Sequence, residues 1–173
     1  VAYRETITIP QDINHRYVKQ SGGKGDFAHV VFKLEPVENN QGFEFINKIV
    51  GGSIPREYIP SVEKGIIDRM KSGVMAGYPI VDVKVTLYDG SYHEVDSSER
   101  AFRICASQAF KEVFMKCKPQ LMEPIMKVFV TSPGDFAGSV NGNLSGKRGR
   151  IQGMDSMGDT TIISALVPLA EMF

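Results

Sequence analysis

The sequence predicts an α+β protein built as two units, and three observations carry that prediction. Apolar residues alternate at 27–34 and 80–87, the period of half-buried strands. They recur at helical spacing from Val62 to Met70 and from Phe102 to Cys117. A stretch from Pro119 to Pro124 then separates these elements from a shorter set with its own strand pattern.

Taken in order, Thr6-Ile7-Thr8-Ile9 alternates and stops at Pro10, which predicts a first strand. Residues 11–26 are polar, basic and glycine-containing and read as a long loop or hairpin end. In 27–34, Ala28, Val30, Phe32 and Leu34 share one strand face and Phe27, His29, Val31 and Lys33 the other. Asn39-Asn40-Gln41-Gly42 turns the chain into a return strand at 43–47, which Gly51-Gly52 and Pro55 break. Ser61 is a candidate cap for the first helix and Gly73 its stop. Val81, Val83, Val85 and Leu87 point inward on the next strand, which Asp89-Gly90 ends. Asp96-Ser97-Ser98-Glu99 reads as a capping box, Asp96 accepting from backbone N–H groups and Glu99 reaching back. The helix it opens carries Phe102, Cys105, Ala106, Ala109, Phe110, Val113 and Cys117 on one stripe, and Pro119 closes it.

Beyond the linker, 127–130 reads as a strand, 136–147 as a short glycine-rich helix or loop, and 150–154 and 160–167 as strands joined at Gly158-Asp159. About 50 residues are marginal for an independent core. With no helix to cover the last strand, this unit is expected to be incomplete.

Composition excludes several classes. No apolar run approaches the ~20 residues of a membrane helix, and Val1 to Glu5 lack the features of a secretion signal. A cytoplasmic protein is expected. Cys105 and Cys117 lie ~18 Å apart along one helix at ~1.5 Å per residue, too far for a disulfide. No CxxC or Cys/His cluster offers a metal site, so both cysteines read as buried structural thiols. The formal net charge is zero, yet residues 13–25 carry His15, Arg16, Lys19 and Lys24 without an acid, and 141–150 carry Lys147, Arg148 and Arg150 likewise. Two flexible basic loops are thereby placed to meet phosphate.

Three segments resemble elongation factor G. They are Lys19-Gln20-Ser21-Gly22-Gly23-Lys24-Gly25 with His29-Val30; Gly51-Gly52-Ser53-Ile54-Pro55-Arg56-Glu57-Tyr58-Ile59-Pro60 with Lys64-Gly65 and Ala76-Gly77-Tyr78-Pro79; and 89–99, from Asp89-Gly90-Ser91-Tyr92-His93 to Glu99, joined later by Glu123-Pro124-Ile125-Met126. The resemblance runs from Val1 to Phe173. It implies that residues 1–121 are domain IV, an α/β sandwich with a left-handed βαβ crossover. It implies that 122–173 begin domain V, a ferredoxin-like βαββαβ unit cut to βαββ. Asp26 and Ala28 stand where relatives often have Gln and Gly.

The resemblance further implies a ribosome-binding arm of a translational GTPase that promotes translocation of tRNA and mRNA. Its GTPase domain, with GTP and magnesium, is expected outside this chain, so the chain itself is expected to hold no cofactor and to catalyse no reaction. Gln20, Ser21, Gly22, Gly23 and Lys24 would form one domain IV tip loop at the small-subunit decoding centre. His93 would belong to a second tip loop at the anticodon. Lys147 and Arg148 would face large-subunit RNA near the GTPase-associated centre, and the chain would act as a monomer. Without the resemblance, Gly22 and Gly23 read equally as a hairpin end, and His93 as an exposed turn residue. Asp96 and Glu99 read as helix caps, and His29 as structural.

Two alternatives remain at this level. One is a paralogue used in ribosome recycling or protection. The other is a metabolite kinase sharing the left-handed βαβ architecture, with Ser21 to Gly25 cradling phosphate. No Walker GxxxxGK[ST] or set of magnesium carboxylates accompanies that loop.

Overall fold

The computed structural model describes residues 2–20 and 22–172. The chain divides into two compact units, one of Arg4–Met122 and one that joins the residues before Arg4 to those from Glu123 on. The larger runs β1 (Arg4–Thr6), β2 (Gln11–Lys19), β3 (Asp26–Pro36), β4 (Phe43–Asn47), α1 (Ile59–Ser72), β5 (Val83–Ser91), α2 (Glu99–Lys116) and β6 (Gln120–Met122). Its main sheet has the order β2-β3-β5-β4, with β4 and β5 parallel and the other neighbours antiparallel. A parallel pair needs a crossover, and α1 supplies it.

Alternation in β3 and β5 puts Ala28, Val30, Phe32, Leu34, Val83, Val85 and Leu87 on the face that α2 covers, and all are shut off from solvent. The α2 stripe from Phe102 to Cys117 meets them, also fully buried. At ~1.5–3 kcal/mol per large apolar side chain, Phe102, Phe110 and Phe114 with their neighbours are the main source of cohesion. Burial pushes the Cys105 thiol up to about 12 and the Cys117 thiol to about 11. Helix α1 crosses α2 closely because position 65 is glycine: a Cβ there would collide with the Arg103 carbonyl oxygen.

The sequence reading needs correction at several edges. Residues 11–19 are a full strand, not a loop; β2 is an edge strand whose exposed residues are polar apart from Val18 and whose inward positions are Ile13, His15 and Tyr17. The first strand is Arg4–Thr6, while Thr8 and Ile9 donate their N–H groups to Cys117 O. Ser61 caps nothing: α1 starts at Ile59 with Pro60 in its first turn and no side-chain cap. Ser98, not Asp96, caps α2, accepting from Ala101 N at 3.0 Å. Strand β5 starts at Val83, so Val81 lies before it, and it passes Asp89-Gly90 to reach Ser91 across an irregularity opposite Val31/Phe32. Within the expected linker, Gln120–Met122 pairs with β1.

The smaller unit contains β7 (Ile125–Pro133), α3 (Ala137–Gly146), β8 (Arg150–Met157) and β9 (Thr160–Pro168). Its antiparallel sheet has the order β7-β9-β8, the arrangement of a ferredoxin-like βαββ segment. Leu144 of α3 packs on Ile163, Ala165 and Val167. Gly158, with φ +64°, makes the β8–β9 turn. No helix among the described residues is long and apolar enough to cross a membrane.

Candidate nucleic-acid interface

Strand directions determine which loops meet. Because β4 and β5 are parallel, both end at one edge of the sheet. Because β3 is antiparallel to β5, it begins there. The β2–β3 hairpin, the loop after β5 and the loop after β4 therefore share one end of the larger unit.

The hairpin's last pair is Lys19↔Asp26. Gly22 and Gly23 have φ of +51° and +145°, backbone that only glycine adopts readily. Gly25 is buried, and a Cβ there would press within 2.9 Å of Lys19 O. Gln20 and Lys24 are exposed; Ser21 lies outside the described residues.

The loop after β5 is stitched to the hairpin's base. Phe27 N donates to Asp96 O at 2.9 Å, and the Ser97 hydroxyl donates to Phe27 O at 2.8 Å. Ser97 Oγ also accepts from His93 N, and Ser97 N donates to His93 O, closing a tight turn. Arg100 pairs with Asp26 at 3.0 Å. The His93 ring sits 6.4 Å from the Phe27 ring at 53°, with its side chain 55% exposed.

His93 Nδ1 lies 3.2 Å from Val95 N and 3.1 Å from Asp96 N. Both are donors, so Nδ1 presents its lone pair and Nε2 carries the proton, an assignment from the bonding pattern. The Asp96 carboxylate at 3.8 Å from Nδ1 is the weaker contact, since a proton on Nδ1 would face two N–H groups. The ring thus holds its loop with one nitrogen and leaves Nε2–H without a partner among the described residues. Tyr92 beside it is 46% exposed, an aromatic surface that the sequence reading did not single out although it lies in the quoted motif.

His29 is structural. Its Nε2–H donates to Asn14 Oδ1 at 2.6 Å, and the Ser91 hydroxyl donates to Nδ1 at 2.7 Å. Burial, then the Arg16 charge, hold its pKa below the usual value against an opposing pull from Asp89. His15 reaches from β2 to Gln108 and Glu112 of α2. Among the described residues no cluster of three or more His, Cys, Asp or Glu is placed to hold a metal.

Lys147 and Arg148 belong to the other unit and are not part of this end. The Arg148 guanidinium is committed: Nη1 and Nη2 donate to Glu123 at 2.6 and 3.2 Å, and Nε donates to Glu171 at 2.9 Å. Lys147 Nζ donates to Glu171 O at 3.2 Å. The stretch without local acids is supplied with them by the two ends of its own unit.

Comparison with known proteins agrees along the chain. Residues 1–118 match elongation factor G, domain IV, and residues 120–173 match the elongation factor G C-terminus. The crystal structure of a Thermus thermophilus protein is similar at 44% sequence identity and a TM-score of 0.87, covering 99% of this chain and 26% of that one. The present chain thus spans about a quarter of that relative's length. With the two matches together reaching from residue 1 to residue 173, the chain belongs to the elongation factor G family.

Proposed function

We propose that this chain is the RNA-facing arm of a translation elongation factor, with residues 1–121 acting as domain IV and 122–173 as the start of domain V. The loops at 20–25 and 92–98 enter the small-subunit decoding centre, and GTP-dependent movement of tRNA and mRNA is driven from a GTPase domain elsewhere in the factor. One observation carries the reading: Phe27 ties the two loops together while His93 Nε2–H and the Gly22-Gly23 backbone remain open to meet RNA. Exposed bases are recognised by stacking and by donors to base edges or 2′-hydroxyls, which an outward imidazole provides. Lys24 and Gln20 add donors for phosphate and sugar. The chemistry is contact and exclusion, without a covalent step. Lys147 faces large-subunit RNA in this scheme, and Arg148 shapes its own unit.

The test is single-round translocation and GTP turnover measured on the same ribosomes with the complete factor carrying His93→Ala. Translocation should slow by ~10-fold or more while turnover is retained; loss of one contact worth ~1.4 kcal/mol gives that factor. Equal loss of both activities would instead point to failed binding and defeat the reading.

A further inference from the structure

The loop at 48–57, between β4 and α1, is the third segment at this end. Ile54, 1% exposed, seats on Gly90, and the Tyr58 hydroxyl donates to Ser97 O at 3.3 Å. Tyr58 also stacks on Phe102 at 5.1 Å. The loop is therefore braced against the same Ser97 that joins the other two, and its outer part is open. Gly51 and Gly52, at φ +67° and +69°, have nothing within 4 Å of where a Cβ would stand, and Val50 is 82% exposed. An open cavity of about 270 Å³ is lined by Asn47, Gly51, Gly52 and Arg56 over an Ile49/Ile54/Ile59 floor.

The cations of this loop differ from the arginines held in ion pairs. Arg100, Arg103 and Arg148 are each held by a carboxylate. Lys48 and Arg56 are exposed, and among the described residues no acid lies within ion-pairing distance of either, the neighbouring Glu57 included. Two unpaired cations flanking unshielded backbone suit a polyanion that needs close approach.

We infer that the 48–57 loop is a third RNA contact, with Lys48 and Arg56 taking successive phosphates and the Gly51-Gly52 backbone lying against the sugar. This rests on the RNA-facing reading above and extends it to a loop with a different role. Here the contact grips the phosphate chain, whereas His93 meets bases.

The experiment measures affinity of the complete factor for tRNA-loaded ribosomes across a potassium chloride series. Lys48→Ala/Arg56→Ala should weaken binding ~10-fold at moderate salt and reduce the log–log salt slope by roughly 1–2. Arg56→Glu should weaken it further than Arg56→Ala. Lys111→Ala, in the body of α2, should leave the slope unchanged. A double-variant slope equal to wild type, or a Lys111→Ala loss as large, would overturn the inference while a His93→Ala defect left the tip reading standing. If His93→Ala also translocated normally, the tip reading would fall with it.

Discussion

The Glu5 carboxylate, fully buried, accepts the backbone N–H of Tyr78 at 2.9 Å, and it accepts three more from Val74, Met75 and Ala76 at 2.8–2.9 Å. Burial alone would push this carboxyl up, but the four donors together hold it below the usual range. Glu5 thereby folds the Gly73–Pro79 loop around itself and joins α1 to β5. Glu5→Gln turns an NH2 group toward donors that need an acceptor. Urea unfolding of the larger unit should show a loss of about 2–4 kcal/mol at neutral pH.

The same carboxylate predicts an acid limb. Its folded pKa is lowered, so its stabilisation is present above the unfolded value of ~4.3 and is lost as pH falls through the folded value. Stability measured between pH 6 and pH 3 should fall more steeply in the wild type than in Glu5→Gln. Parallel curves would show that the carboxylate contributes nothing to the acid response.

At Gly65 the α1–α2 crossing admits no side chain. A methyl group there meets the Arg103 carbonyl oxygen and the Ala106 Cβ, both on a helix that cannot yield without disturbing the core. Gly65→Ala should destabilise by about 1–3 kcal/mol despite alanine's better helix propensity. Gly138→Ala is the contrast: nothing stands within 4 Å of its Cβ in α3. That variant should be neutral or more stable by up to ~1 kcal/mol, and matching thermal shifts for the two would refute the steric argument.

Much of the fold was legible because its core strands and helix obey simple periods: 28–34, 83–87 and the α2 stripe all face inward as their spacing demands. Strand β2 was not, because His15 occupies an inward position and the strand sits at the sheet edge, so only Ile13 is buried along nine residues. Its imidazole is satisfied by Gln108 and Glu112, which are remote in sequence. The cap of α2 was misplaced because neighbouring residues from Asp96 to Ser98 can all cap, and the structure gives that place to Ser98, whose hydroxyl accepts from Ala101 N. At the site, composition shows which loops are basic but not which cations are already paired. Arg148 looks free until Glu123 and Glu171 are brought to it.

That pairing is itself measurable. Arg148 donates to Glu123 through both terminal nitrogens, holding the Glu123 carboxyl below the usual range. In Arg148→Ala the Glu123 carboxyl should titrate at a higher pH, close to an ordinary glutamate at ~4.3, as followed by carboxyl carbon NMR. An unchanged midpoint would mean the ion pair is not maintained in solution.

The two nitrogens of His93 can be separated by substitution. Asparagine places its side-chain oxygen near the position of Nδ1, so His93→Asn retains an acceptor for Val95 N and Asp96 N, now as an Asx turn. It has no group at the position of Nε2. His93→Ala loses both and should leave those two N–H groups to water, loosening the loop; amide exchange at Val95 and Asp96 should quicken in the alanine variant and remain slow in the asparagine one. If Nε2–H is the RNA contact, the asparagine variant should nonetheless translocate as slowly as the alanine variant, because loop order without the outward donor is not enough. A normal rate for His93→Asn beside a slow rate for His93→Ala would assign the histidine a purely architectural role, and the RNA contact would then have to come from Tyr92 or the Gly22-Gly23 backbone.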